Sequence, residues 1–202
     1  LMGKIIGITG GIASGKSTVT NFLREKGFQV VDADAVVHDL QKPGGRLYQV
    51  LVQHFGQEII LENGELNRPL LASLIFSNPE EREWSKQTQG EIIREELAAL
   101  RDQLAQTETV FFMDIPLLFE QDYSAWFDET WLVYVNRDVQ VERFMKRDHL
   151  SKEVAESRLA AQWSLEKKKD LASHVLDNNG SRDQLVAQVV KLLEGGDSCA
   201  RD

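Results

Sequence analysis

A chain of 202 residues, 42% hydrophobic and 27% charged, has the composition of a globular domain large enough to bury a core without disulfides or structural metals. Its net charge of −9 argues against a general affinity for nucleic acid or an anionic membrane, while leaving room for a local basic site that takes an anionic ligand. The single Cys199 can form no internal disulfide, and no run is apolar enough to serve as a signal peptide or to span a bilayer, so a reducing, cytoplasmic setting is expected, with Leu1 ahead of Met2 set aside as foreign to the native chain.

The first predicted element is a buried strand, Lys4 to Thr9, apolar and β-branched. It runs into Gly10-Gly11-Ile12-Ala13-Ser14-Gly15-Lys16-Ser17, and a helix follows from Ser17 to Lys26 with Val19, Phe22 and Leu23 on one face. The spacing is G-x-x-x-x-G-K-[ST]. Strand, glycine-rich turn and helix start together form an anion site, because the glycines let N–H groups turn inward and the helix start adds free donors. In that context residues Gly11 to Thr18 are expected to cradle the phosphates of ATP, Lys16 to reach the β- and γ-phosphates, and Ser17 to ligate Mg²⁺.

A second strand, Phe28 to Val31, ends in Asp32-Ala33-Asp34, where a helix begins. A carboxylate at this place can accept the proton of a substrate hydroxyl, or it can cap the helix. Asp34 is read as the base, whereas Asp32 is read either as a second carboxylate or as support for the turn. Lys42-Pro43-Gly44-Gly45 opens a helical insertion, with helices expected at Leu47 to Phe55, Arg68 to Phe76 and about Glu81 to Gln106, the last bent near Gly90.

The third strand, Thr109 to Met113, ends at Asp114, placed as an acid that holds Mg²⁺ directly or through water. Ile115-Pro116-Leu117-Leu118-Phe119-Glu120 then makes an apolar loop that walls a substrate pocket or packs in the core. After a fourth strand, Trp131 to Val135, a basic helical stretch covers Val139 to Leu171 with a break near residues 148–151. Arg143 and Arg147 share one of its faces, suited to polyphosphate or to solvent. A fifth strand, His174 to Leu176, leads to Asp177-Asn178-Asn179-Gly180, where the segment Asn178-Asn179-Gly180 touches an adenine base or makes a turn, with Asn179 taken as the nucleotide contact, and a last helix from Asp183 to Leu193 is expected to stop at Gly195-Gly196. The four histidines are scattered without metal-ligand spacing. Strands alternating with helices imply a parallel sheet covered on both faces, with ligands at the strands' carboxyl ends.

Taken in order, Thr9 to Thr18, Asp32-Ala33-Asp34, Leu66-Asn67-Arg68, Asp114 to Glu120, the Arg143 to Arg147 segment and Asp177 to Gly180 resemble the dephospho-coenzyme A kinase family over nearly the whole chain. The resemblance implies an α/β, three-layer P-loop NTPase fold with a parallel sheet, a helical substrate-binding insertion and a helical lid. It divides the chain into a nucleotide-binding core (1–40, 108–138 and 172–202), an insertion for the acceptor (41–107) and a lid (139–171). It implies transfer of the γ-phosphoryl group of ATP, with Mg²⁺, to the ribose 3′-hydroxyl of dephospho-CoA, giving CoA and ADP without nucleic acid, membrane or an obligatory protein partner. On the same resemblance Asp34 is the general base, Lys16, Arg143 and Arg147 are catalytic, and Arg68, Pro116, Leu117 and Leu118 contact the acceptor. The chain departs from the family at Gln89-Gly90, where members often carry His-Pro. Two other readings remain at this stage: a kinase of the same build acting on a nucleoside monophosphate or another small alcohol, and a nucleotide-dependent switch. A guanine-specific switch is disfavoured because Val135-Asn136-Arg137-Asp138 lacks the Asn-Lys-x-Asp motif.

Overall fold

A computed structural model describes residues 3–197. Leu1 and Cys199 lie outside the described residues. The chain forms two compact units, one made of residues 1–31 with 105–202 and the other of residues 32–104.

The first unit is built on a parallel five-stranded sheet. Its strands are β1 (Lys4–Thr9), β2 (Val30–Asp32), β3 (Val110–Asp114), β4 (Glu129–Tyr134) and β5 (His174–Asp177), in the order β2-β3-β1-β4-β5. Register is set between β1 and β3 with Ile8 opposite Asp114, between β1 and β4 with Thr9 opposite Leu132, and between β4 and β5 with Tyr134 opposite Asp177. The carboxyl ends of these strands therefore align on one edge. β1 lies in the middle, and Ile6, Ile8, Phe111, Phe112 and Met113 are buried, as near-continuous apolar strands require when both faces are covered.

Helix α1 (Lys16–Glu25) packs Val19, Phe22 and Leu23 on one face of the sheet, beside Leu185 and Val189 of the C-terminal helix, against Ile8, Phe112, Trp131 and Leu176. Leu165 packs with Leu132, Tyr134 and Val135 in a separate cluster. The basic stretch is three helices rather than two: Arg137–Asp148, Lys152–Leu159 and Leu165–Leu171. The first ends at His149, which takes a left-handed conformation at φ 54°, and the additional break precedes Ser164, whose hydroxyl caps the third helix. The C-terminal helix, Arg182–Asp197, runs through Gly195-Gly196 instead of stopping there. Glycine lowers helix propensity but does not end a helix that tertiary packing supports.

The second unit holds α2 (Ala33–Leu40), α3 (Arg46–Phe55), α4 (Arg68–Phe76) and most of α5 (Pro79–Thr107), which is one continuous helix through Gly90. Leu40, Leu47, Leu51, Ile59, Leu66, Leu71 and Ile92 form its core. His54 stacks on Trp84 at 3.6 Å and pairs with Glu81 at 2.5 Å, joining α3 to α5. In chain order the three helices after α5 are α6 (Arg137–Asp148), α7 (Lys152–Leu159) and α8 (Leu165–Leu171), and the last is α9 (Arg182–Asp197).

Candidate active site

The glycine-rich loop leaves the carboxyl end of central β1 and turns into α1. Ala13 (φ 60°) and Gly15 (φ 88°) both adopt left-handed backbone there. Gly15 is also the residue before the helix, and no side chain caps the first turn of α1. A helix start that leaves its N–H groups without a side-chain acceptor can take an anion. Ser14 is buried, and its hydroxyl accepts from Gly11 N at 3.2 Å while its own N–H donates to Gly11 O at 3.1 Å, which closes the loop on itself.

Lys16 and Asp114 are brought together. Lys16 Nζ stands 2.6 Å from Asp114 Oδ1, with both side chains mostly covered. Asp114 sits at the end of β3, where Ile115 N donates to Ile8 O, so the acid is carried beside the strand that feeds the loop. Thr9 Oγ1 donates to the Pro116 carbonyl at 3.0 Å and ties the next loop to the same edge. Leu118 is fully buried in the core, while Pro116 and Leu117 are partly accessible. Ser17 is exposed.

The two arginines of α6 have different surroundings. Arg143 Nη1 donates to the Asn178 carbonyl at 2.8 Å. Arg147 is half-exposed, forks onto Asp148 at 2.8 and 3.2 Å, and lies over the Phe144 ring. The Asp148 carboxylate holds the Arg147 guanidinium above its ordinary pKa, and that guanidinium in turn lowers Asp148. Asn179 spends its amide inside the protein: Oδ1 accepts from Asn136 N at 2.8 Å and Nδ2 donates to Asp177 Oδ1 at 3.0 Å.

Its neighbour Asn178 is the residue that reaches the loop, with Nδ2 donating to Ser14 O at 2.8 Å. Gln140 Nε2 reaches Ile12 O at 2.9 Å, and Lys168 Nζ reaches Gly10 O at 3.2 Å. From sequence alone Gln140 and Lys168 have no assigned role, and Asn178 belongs only to a segment that touches adenine or makes a turn. Lys168 was hidden among the lysines at 167–169, yet it is wholly buried and paired with Glu120 at 3.0 Å. Burial pushes its ammonium below the ordinary lysine value, and Glu120 partly restores it. The available signal was spacing, since Lys168 lies three residues after buried Leu165 on one helical face.

In the helical unit, Asp32 and Asp34 separate cleanly. Asp32 caps α2, its Oδ1 accepting from Asp34 N at 2.9 Å and Ala35 N at 3.2 Å. Asp34 lies in the first turn, exposed and not used for capping. Arg68 follows the Asn67 cap of α4 and donates to Gln41 Oε1. It lines a cavity of ≈430 Å³ together with Ile75, Phe76, Arg82 and Gln89.

The sequence profile of the dephospho-CoA kinase family matches residues 4–184. The dephospho-CoA kinase of Streptococcus pneumoniae serotype 4 is 84% identical over 201 residues, 100% of each chain. That of Streptococcus mutans serotype c is 57% identical over 192 residues, 95% of this chain and 97% of its own. The solved structure of dephospho-CoA kinase from Campylobacter jejuni has a TM-score of 0.74 at 25% identity, covering 96% of this chain and 100% of that one. The matched residues span β1, the glycine-rich loop, α1 and the helical unit, and the chain belongs to the dephospho-CoA kinase family.

Proposed function

We propose that the chain transfers the γ-phosphoryl group of ATP to the ribose 3′-hydroxyl of dephospho-CoA, releasing CoA and ADP in the last step of coenzyme A synthesis. The observation that carries this reading is the uncapped, glycine-opened start of α1 with Lys16 held beside Asp114, in a chain whose relatives are dephospho-CoA kinases. The backbone N–H groups of residues 11–18 bind the phosphates, and Lys16 neutralises charge on the transferring group. Asp34 takes the proton of the 3′-hydroxyl. As the oxygen–phosphorus bond to the acceptor forms, the bond to the β–γ bridging oxygen breaks, and ADP leaves with that oxygen. Asp34 suits the role because its carboxylate is exposed and Asp32 already caps the helix.

Arg143 and Arg147 neutralise polyphosphate charge from a lid over residues 139–171, which excludes water as a competing acceptor. Arg68, Pro116 and Leu117 contact the acceptor, with Leu118 forming the packed wall behind them, and Asn179 steadies the loop beside the adenine. Ser17 and Asp114 are hard oxygen donors suited to Mg²⁺. Among the described residues no group of three or more acidic, His or Cys side chains converges, so phosphate oxygens and water would complete the shell. Bound there, the ion would screen the phosphate charge during transfer. None of the described helices is long and apolar enough to cross a membrane. A cytoplasmic setting fits the use of ATP as donor.

The test is ADP release with dephospho-CoA or a nucleoside monophosphate as acceptor, with the product identified by mass. Acceptor-dependent release and formation of CoA are expected. Preferential phosphorylation of a nucleoside monophosphate, or nucleotide binding without transfer to either acceptor, overturns the proposal.

A further inference from the structure

Three buried donors from distant elements end on carbonyl oxygens of the phosphate loop. Lys168 of α8 meets Gly10 O, Gln140 of α6 meets Ile12 O, and Asn178, after β5, meets Ser14 O. The acceptors alternate along the loop. Of the carbonyls between and after them, Gly11 O is taken by Ser14 N and Gly15 O by Thr18 N. Oxygens tied back in this way leave the loop's remaining N–H groups facing forward, the arrangement an anion requires. Desolvated donors hold it in place before any anion arrives.

The glycines carry the same message from an independent observation. A Cβ on Gly11 would lie 2.7 Å from Gln140 Nε2, and one on Gly15 would lie 2.1 Å from Asn178 Nδ2. These two glycines make room for the donors behind the loop as well as for phosphate in front. Two further residues brace the donors: Arg143 donates to the Asn178 carbonyl at 2.8 Å, and Glu120 accepts from both Lys168 Nζ at 3.0 Å and Trp163 N at 3.4 Å.

We propose that Lys168, Gln140 and Asn178 are positioning residues that preorganise the phosphate loop for the nucleotide. The proposal rests on the reading that this loop holds the phosphates of ATP. Gln140 and Lys168 stand near the two ends of residues 139–171, so the same bonds fix both roots of the segment assigned as the lid.

Calorimetric titration with ADP tests the positioning role separately from phosphoryl transfer. The variants are Gln140→Met, Asn178→Ala, and Lys168→Met combined with Glu120→Gln so that no buried charge is stranded. Each is titrated at a temperature where circular dichroism shows it folded. A purely structural role lowers the melting temperature but leaves the affinity of the folded protein alone. The expected result is roughly tenfold weaker ADP binding in each variant, equivalent to about 1.4 kcal/mol, with a raised KM for ATP and a KM for dephospho-CoA within about twofold of wild type. Folded variants that bind ADP as wild type does overturn the proposal.

Amide relaxation on the ligand-free wild type gives a second measurement that needs no variant. Order parameters near 0.85 for residues 10–16 are expected, and values below about 0.6 overturn the preorganisation. A wild-type chain that binds ADP but fails to phosphorylate dephospho-CoA refutes the proposed function, and the titration still decides the positioning role.

Discussion

Replacing Gly15 by Ala tests the loop and its support in a single change. Gly15 has φ +88°, a conformation that costs an L-residue about 1–2 kcal/mol. The added methyl would also lie 2.1 Å from Asn178 Nδ2, closer than real Cβ contacts allow. Asn178 must swing away, and its bond to Ser14 O, made in a buried setting, is lost. Leaving such a group without its partner costs about 1–3 kcal/mol. The sum is roughly 2–5 kcal/mol, or roughly 4–20 °C in Tm for a chain of this size. Gly27→Ala is the control. Gly27 has φ +90° with nothing within 4 Å of the built methyl, so only the backbone penalty of about 1–2 kcal/mol applies. Differential scanning calorimetry of the two variants reads the contribution of Asn178 as the difference between their melting temperatures. Equal melting of the two refutes the reasoning, because the contact with Asn178 would then carry no energy.

Lys16→Met should lower kcat by about 10²-fold or more, since it removes a charge aimed at the transferring group, and because it strips Asp114 of its ion-pair partner the assay is run with melting curves alongside. Asp34→Asn should cut turnover by about 10²–10⁴-fold with ADP affinity little changed, whereas turnover within a few-fold of wild type in steady-state assays would remove Asp34 from the base role. Arg147→Ala should reduce turnover and Arg147→Lys should recover only part of it, because an ammonium lacks the planar fork; full activity in both variants would mark a solvated helix face. Tyr134 donates its hydroxyl to Glu166, which together with burial pushes its pKa up to about 12. The folded state thus keeps this proton beyond the ordinary value of 10.0, so the contribution to stability is complete below about pH 10 and is lost as pH rises toward 12. Absorbance titration of the phenols should show one late tyrosine that Glu166→Gln brings down.

Much of the sheet was legible because its strands are short apolar runs, each closed by a polar residue at the ligand edge. Asp114 stands out on that basis, and the glycine-rich loop by its G-x-x-x-x-G-K-[ST] spacing. What pattern reading could not supply was direction. Asp32 and Asp34 are two apart and chemically identical, and only the onset of the helix decides that Asp32 folds back as the cap while Asp34 is left exposed. Asn178 and Asn179 pose the same problem at the end of β5, where one points at Ser14 and the other at Asn136. Lys168 was obscured by composition. Three adjacent lysines read as a solvated surface, yet helical rotation turns the middle one into the core, where Glu120 and Gly10 O compensate its charge. The run through Gly195-Gly196 was missed for a related reason, since local propensity was weighed without the packing of α9 on the sheet.

The bonds that hold the phosphate loop have a consequence for how the protein is made. Their partners lie 128, 158 and 164 residues downstream of the carbonyls they grip. β1, the first of the five strands in chain order, has β3 and β4 on either side of it. At about 5–20 residues per second, the 164 residues that separate Ser14 from Asn178 take roughly 8–33 seconds to make, so the loop is synthesised long before the residue that grips it. Such non-local closure slows folding. A nascent chain halted before residue 178 would carry the complete motif and still lack Asn178 behind Ser14, and is expected to hold nucleotide more weakly than the finished chain.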